Sequence, residues 1–190
     1  QELEKRTKVK ARIISHALEG LIKEASKVYI MGHSTPDMDC VGASMGIYRL
    51  VKTLEKEAQI VITPKGDNLN AFLKELEEDE QYDNLLISPQ DAMSDLDEDT
   101  LLVVVDTNKK NYVDSQELLS KAKKIVVVDH HRRSPDYIES ATLTFHEVYA
   151  SSASELVTEL VEYATSEPEL TSLEAEALYA GIMMDTKTFT

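Results

Sequence analysis

Leu101-Leu102-Val103-Val104-Val105-Asp106 is an unbroken aliphatic run that ends on a carboxylate. Such a run suits a strand buried on both faces, and strands of that kind belong to parallel sheets covered by helices. Lys124-Ile125-Val126-Val127-Val128-Asp129 repeats the pattern and continues into His130-His131-Arg132-Arg133. Lys27-Val28-Tyr29-Ile30-Met31-Gly32 is a shorter version, followed by His33-Ser34-Thr35-Pro36-Asp37-Met38-Asp39. One strand ending in acid or imidazole is an ordinary loop. Three suggest a single site at the carboxyl edge of the sheet, where open α/β sheets bind their ligands.

Helical patterns separate these strands. Residues 2–24 are amphipathic, with Val9, Ile13, Ala17, Leu18 and Leu21 on one predicted face. Residues 41–54 open with Gly42, Ala43, Ser44 and Gly46. Those small residues fit either close helix packing or close approach to a phosphate. Further strands are predicted over 58–63, 85–87 and 142–148, with a turn at Pro64-Lys65-Gly66-Asp67 and a short helix over 69–76. Residues 89–99 read as a polar connection with a weak helical turn. Ser152 with Glu155, and Thr171 with Glu174, are capping-box pairs that open helices ending near Tyr163 and Asp185. The fold class is therefore α/β, a layered domain with a mainly parallel β-sheet flanked by helices.

The chain has 190 residues, with 35 acidic and 20 basic side chains and a net charge of −15. That balance disfavours a broad nucleic-acid or anionic-membrane surface, which needs basic patches. A single cysteine, Cys40, excludes an internal disulfide and fits a reducing compartment. No apolar run reaches the length of a membrane span, and no signal peptide is evident. With Gln1 first and no terminating signal after Thr190, the sequence reads as a piece of something longer.

Pro36 argues against a helical turn, so His33, Asp37 and Asp39 can converge. A mixed nitrogen and oxygen cluster suits a divalent transition ion. The alternative is a polar turn in which Asp39 caps the next helix. Asp106 is likewise a cap or a ligand. Asp185 ends a predicted helix, where a carboxylate opposes the helix dipole and a nearby cation would justify it. His16 reads as a surface histidine, and His146 as structural or at the rim.

Asp129-His130-His131, with His33, Asp37 and Asp39 before it and Asp106 and Asp185 around it, resembles the DHH phosphoesterase superfamily. The four blocks occur in order and span nearly the whole chain. Within the superfamily the sequence is most similar to the GdpP-type cyclic-di-AMP phosphodiesterases. The stretches that carry this are Glu4–Thr7, Ile14–Leu18, Met31–His33, Pro36–Asp39, Asp129–Arg133 and Tyr149–Val157. The resemblance implies two Mn2+ ions, one held by His33 and Asp37, the other by Asp39, His130 and Asp185, with Asp106 bridging. It implies that His131 and Arg132 are catalytic and face the phosphate. A bridge needs two oxygens, which a carboxylate has and an imidazole lacks.

The implied activity is hydrolysis of cyclic-di-AMP to linear pApA by a two-metal-activated water. The alternatives are a short oligoribonuclease of the nanoRNase type or a manganese pyrophosphatase-like phosphohydrolase. From another class comes a nucleotide-sensing module with an inert site. Residues 1–25 are expected to be an N-terminal linker helix and residues 26–190 a DHH catalytic domain, with a C-terminal DHHA1 lobe outside this chain. The isolated chain is accordingly expected to be weakly active or inactive. The expected partner is a small cyclic dinucleotide, not a long nucleic acid, and a homodimer is compatible. The resemblance also implies a cytoplasmic domain whose parent is anchored in the bacterial cell membrane through a segment outside this chain.

Overall fold

The structure, a computed structural model, describes residues 2–63 and 67–186, excepting the side chains of residues 2–6, 67 and 68. Helix α1 covers Glu2–Glu24, and strand β1 covers Val28–Met31. Then come α2 (Met38–Thr53), β2 (Ala58–Val61), α3 (Asp67–Glu78), β3 (Leu86–Ile87) and α4 (Pro89–Ser94). The second half is β4 (Leu101–Val105), α5 (Gln116–Lys121), β5 (Lys124–Asp129), β6 (Leu143–His146), α6 (Ala153–Glu162) and α7 (Ser172–Asp185).

All strand pairs are parallel, in the order β3-β2-β1-β4-β5-β6. The aliphatic runs explain this arrangement. Leu101, Val103 and Val105 of β4 enter one core with residues of α1, α2, α6 and α7, while Leu102 and Val104 enter a second with Ala92, Leu118 and Leu119. A strand with both faces covered has no polar side to give to solvent. The chain order reverses between β1 and β4, so the loops leaving these two neighbours open a crevice at their carboxyl ends.

Several local expectations differ from what is observed. Val9 and Ile13 are 59% and 62% exposed, and Ala17 also faces solvent. The buried side of α1 instead carries Ala11, Ser15, Leu18, Glu19 and Ile22. Two polar groups occupy core positions there because each finds partners. Ser15 donates to the Leu160 carbonyl at 2.7 Å, and Glu19 accepts from Thr165 and Ser166. Residues 89–94 form a true helix, capped by Ser88 with Pro89 at its first position. Helix α5 is a short element capped by Ser115. Thr171 and Glu174 close a full capping box, but Glu155 reaches past Ser152 to the amide of Ser151. Of the expected turn at 64–67, Pro64, Lys65 and Gly66 lie outside the described residues.

Helices α2 and α7 pack closely because three glycines lie between them and α6. A Cβ at Gly42 would stand 2.4 Å from the Ala177 carbonyl oxygen, and one at Gly46 2.4 Å from Val157 Cγ1. The small residues at the start of α2 therefore serve helix packing. Among the described residues no helix is long and apolar enough to cross a membrane.

Candidate metal centre

The loop after β1 places three side chains at the crevice. Asp37, not Asp39, caps α2: its Oδ1 accepts from the Cys40 amide at 3.0 Å. Its Oδ2 lies 3.7 Å from His33 Nε2. Asp39 sits in the first turn, fully buried, and points across to α6. There the Ala153 and Ser154 amides each donate to one of its oxygens at 2.8 Å. A carboxylate thus meets the positive end of another helix.

Asp106 follows β4 with φ of 59°. A non-glycine residue in this left-handed region carries a strain of order 1 kcal/mol, and such strain gathers at functional sites. The conformation sends the side chain inward between two imidazoles. Oδ2 lies 3.1 Å from His33 Nε2, and Oδ1 lies 3.4 Å from His130 Nε2. His130 Nε2 is also 3.6 Å from Asp39 Oδ2 and 3.1 Å from Asp185 Oδ2. Three groups of converging ligand atoms result: His33 with Asp37 and Asp106, Asp39 with His130 and Asp185, and Asp106 with His130 and His131.

Two buried polar atoms in this cluster, Asp106 Oδ1 and His130 Nε2, have no hydrogen-bond partner. They approach one another at an angle that makes no bond. Buried polar groups are almost always satisfied, so orphans aimed at a common centre fit a cation held between them. The charges are strained in the same sense. Burial and the neighbouring charge of Asp106 push the Asp39 carboxyl up to about 7, despite its bonds from Ser154 and Ala153. Burial opposes ionisation of Asp106 as well, but the imidazoles of His130 and His33 hold its carboxyl below the usual range. His130 is pushed up by Asp106 and Asp185, against its burial. A divalent cation would neutralise this carboxylate excess directly.

His131 is turned differently from His130. Its Nδ1 lies 2.7 Å from Asp129 Oδ1, and the ring is half exposed. Asp129 is fully buried, and its other oxygen accepts from Asn108 Nδ2 at 2.5 Å. Asn108 donates also to the His131 carbonyl oxygen at 3.2 Å, which His146 Nε2 approaches at 2.5 Å. Among the described residues, nothing holds His131 Nε2 or the exposed Arg132 side chain. His16 is exposed on α1 and belongs to none of the three converging groups.

Sequence reading placed no role on Asp129, Asn108, Thr35 or Tyr112. Tyr112 stacks on His33, ring centroids 5.1 Å apart and planes 3° from parallel, and its hydroxyl lies 2.5 Å from Thr35 Oγ1. Thr35 Oγ1 in turn lies 3.4 Å from His33 Nδ1, so both sides of that imidazole are fixed. Asp129, at a strand end beside two histidines, did carry a signal. Asn108 and Tyr112 sit in a connecting loop whose path no local pattern predicts.

Comparison with known proteins agrees with this geometry. Residues 27–182 match the profile described as DHH family, N-terminal domain. The chain is 48% identical over 190 residues to a protein named cyclic-di-AMP phosphodiesterase GdpP from Geobacillus thermodenitrificans, covering 99% of the chain and 29% of that protein. It is 31% identical over 171 residues to a bifunctional oligoribonuclease and PAP phosphatase, NrnA, from Mycoplasma genitalium, covering 88% of the chain and 49% of that protein. An exopolyphosphatase-related protein from Bacteroides fragilis superposes with a TM-score of 0.75 at 21% identity, over 94% of this chain and 51% of that one. The chain thus spans under a third of the first relative's length.

Proposed function

This chain belongs to the DHH family, and from that membership we propose that it is the metal-carrying catalytic lobe of a phosphodiesterase that hydrolyses cyclic-di-AMP to linear pApA. The observation that carries the reading is the division of Asp106: one oxygen faces His33, the other His130. His33, Asp37 and Asp106 would hold one ion, and Asp39, Asp106, His130 and Asp185 the other. Manganese is the ion that the resemblance favours. When bound, such a pair supplies an activated water and a positive clamp for the phosphate oxygens.

The remaining chemistry falls to the chain's own groups. Asp129 fixes the proton of His131 on Nδ1, which leaves Nε2 to exchange a proton with an oxygen of the substrate. Arg132, exposed beside it, would meet a phosphate oxygen. The amides of Ala153 and Ser154 hold Asp39 in one orientation, so that ligand needs no rearrangement when an ion arrives. The 48% identity to a cyclic-di-AMP phosphodiesterase favours the cyclic dinucleotide over the short RNA suggested by the 31% relative.

We assign residues 1–25 to a linker helix and 26–190 to the catalytic domain, a boundary supported by a family match that begins at residue 27. The membrane anchor of the parent and a second, substrate-holding lobe belong to segments outside this chain. Contacts from such a lobe orient the reacting phosphate, and losing ~4 kcal/mol of them slows turnover about a thousandfold. The test is Mn2+-dependent product analysis with cyclic-di-AMP, a linear dinucleotide and pyrophosphate side by side, on residues 1–190 and on a chain extended through the next domain. Preferential conversion of cyclic-di-AMP by the extended chain is expected. Faster hydrolysis of pyrophosphate or of the linear dinucleotide would overturn the assignment.

A further inference from the structure

Tyr112 is 40% exposed at the rim of a centre whose other aromatic neighbour is a buried imidazole. Its exposure is not that of a mobile side chain. One ring face lies against His33, the hydroxyl is tied to Thr35, and the backbone is pinned on both sides. The Tyr112 carbonyl accepts from the Ser34 amide at 2.8 Å, and its amide donates to the Lys109 carbonyl at 3.1 Å. Val113 forms a bridge with His33, and Asp114 donates to the Gly32 carbonyl at 3.0 Å, so the loop is stitched to the end of β1. With one face and the hydroxyl engaged, the exposed area lies on the far face and edges.

An aromatic face held open to water forgoes the free energy of burial, and this one is stacked on His33, itself a member of the ligand cluster. The same loop carries Lys109, and the loop that bridges to it carries Arg133, stacked 5.2 Å over Tyr137. In a chain of net charge −15, each of these two bridged loops carries a cation, Lys109 on one and Arg133 on the other. An aromatic platform beside phosphate-seeking groups is how proteins hold a nucleobase next to its own phosphate.

We infer that the far face of Tyr112 is a stacking platform for a nucleobase of the substrate, so that this lobe itself reads a base. The inference rests on the phosphodiesterase reading for the identity of the ligand, but its test does not depend on turnover. The affinities of 5′-AMP and ribose 5-phosphate, measured by calorimetry on the Mg2+-loaded chain, differ only through the base. Wild type should prefer 5′-AMP about tenfold, as expected for one stacked base. Tyr112→Leu should bring the preference to within about twofold. Tyr112→Phe, which keeps the ring and loses only the Thr35 contact, should retain it. Equal affinities in wild type, or an unchanged preference in Tyr112→Leu, would overturn the platform. A parallel loss of affinity for both ligands in Tyr112→Leu would also overturn it, because the residue would then act only through His33. Cyclic-di-AMP turnover by the extended wild-type chain is scored separately, so a failed substrate assignment is distinguishable from a failed platform.

Discussion

Gly181 of α7 lies directly over the backbone of Asp39: a Cβ at this position would stand 3.0 Å from Asp39 Cα and 2.2 Å from Ser154 Oγ. The contact joins the last helix to a candidate ligand, and the same helix delivers Asp185 about one turn beyond its own packing glycine. Close packing here is thus part of how the site is dimensioned.

Gly181→Ala should therefore destabilise the fold, although alanine is the better helix former by about 1 kcal/mol. Overpacking of a fixed backbone costs roughly 1–3 kcal/mol and exceeds that gain. Denaturant unfolding should show a net loss, and Mn2+ titration a weaker second ion because Asp39 shifts. Combining the change with Ser154→Ala removes the nearest atom and should restore at least half of the lost stability. No recovery in the double variant would place the strain elsewhere.

Asp106→Asn should keep the fold and lose paired occupancy. Asparagine tolerates the left-handed backbone, so the strain at φ 59° is no worse, while the charge shared by the two ions disappears. Asp106→Ala adds a backbone penalty of about 1 kcal/mol to the same loss. Elemental analysis should read fewer than two Mn2+ per chain in both variants and two in Asp136→Ala. Two ions retained in Asp106→Ala would remove the bridging assignment.

Acid should weaken the attachment of α1 through Glu19. Burial pushes its carboxyl up, but Thr165 and Ser166 more than offset this and hold it down at about 2, below the ordinary 4.5. A carboxyl depressed in the folded state stabilises above the unfolded value and loses that contribution as pH falls through the folded one. The stability difference between wild type and Glu19→Gln should be on the order of 2 kcal/mol at neutral pH. It should shrink between about pH 5 and pH 2. A difference that stays constant across this window in unfolding titrations would contradict the assignment.

Asp129→Asn should slow turnover of the extended chain about a hundredfold, the scale of a mispositioned general acid. The new amide could still accept from His131, but its NH2 would then face the NH2 of Asn108. Adding Asn108→Asp restores a donor and an acceptor at that contact and should recover much of the rate. KM and Mn2+ content should change little in either variant, because Asp129 contacts His131 and none of the six side chains assigned to the two ions. A fall in metal content equal to the fall in rate would argue that Asp129 merely supports the fold.

The fold was legible where one physical effect dominated. The runs at 101–105 and 124–128 can be buried on two sides in only one kind of sheet, and residues at their ends must share an edge. His33, Asp106 and His130, which follow three strands, do converge, and Asp37, Asp39 and the helix-end Asp185 join them. What was not legible depends on partners far along the chain. The outward turn of Val9 and Ile13 cannot be foreseen without knowing that Leu160, Thr165 and Ser166 wait for Ser15 and Glu19. Asp39, read as a ligand with a cap role as the alternative, does not cap α2; the start of α6, 114 residues later, offers it two amides. Tyr112 and Asn108 belong to a loop shaped by backbone bonds to other loops, which no periodicity encodes.

The strand order carries one more consequence. His33, Asp37 and Asp39 come from the stretch before β2, whereas Asp106, His130 and Asp185 come from the half that begins with β4, and the halves meet along the β1–β4 seam and where α2 packs on α6 and α7. Occupancy of the paired site is therefore a logical conjunction: neither half can register it alone. A cut in the exposed stretch between α4 and β4 would divide the ligand set between two fragments.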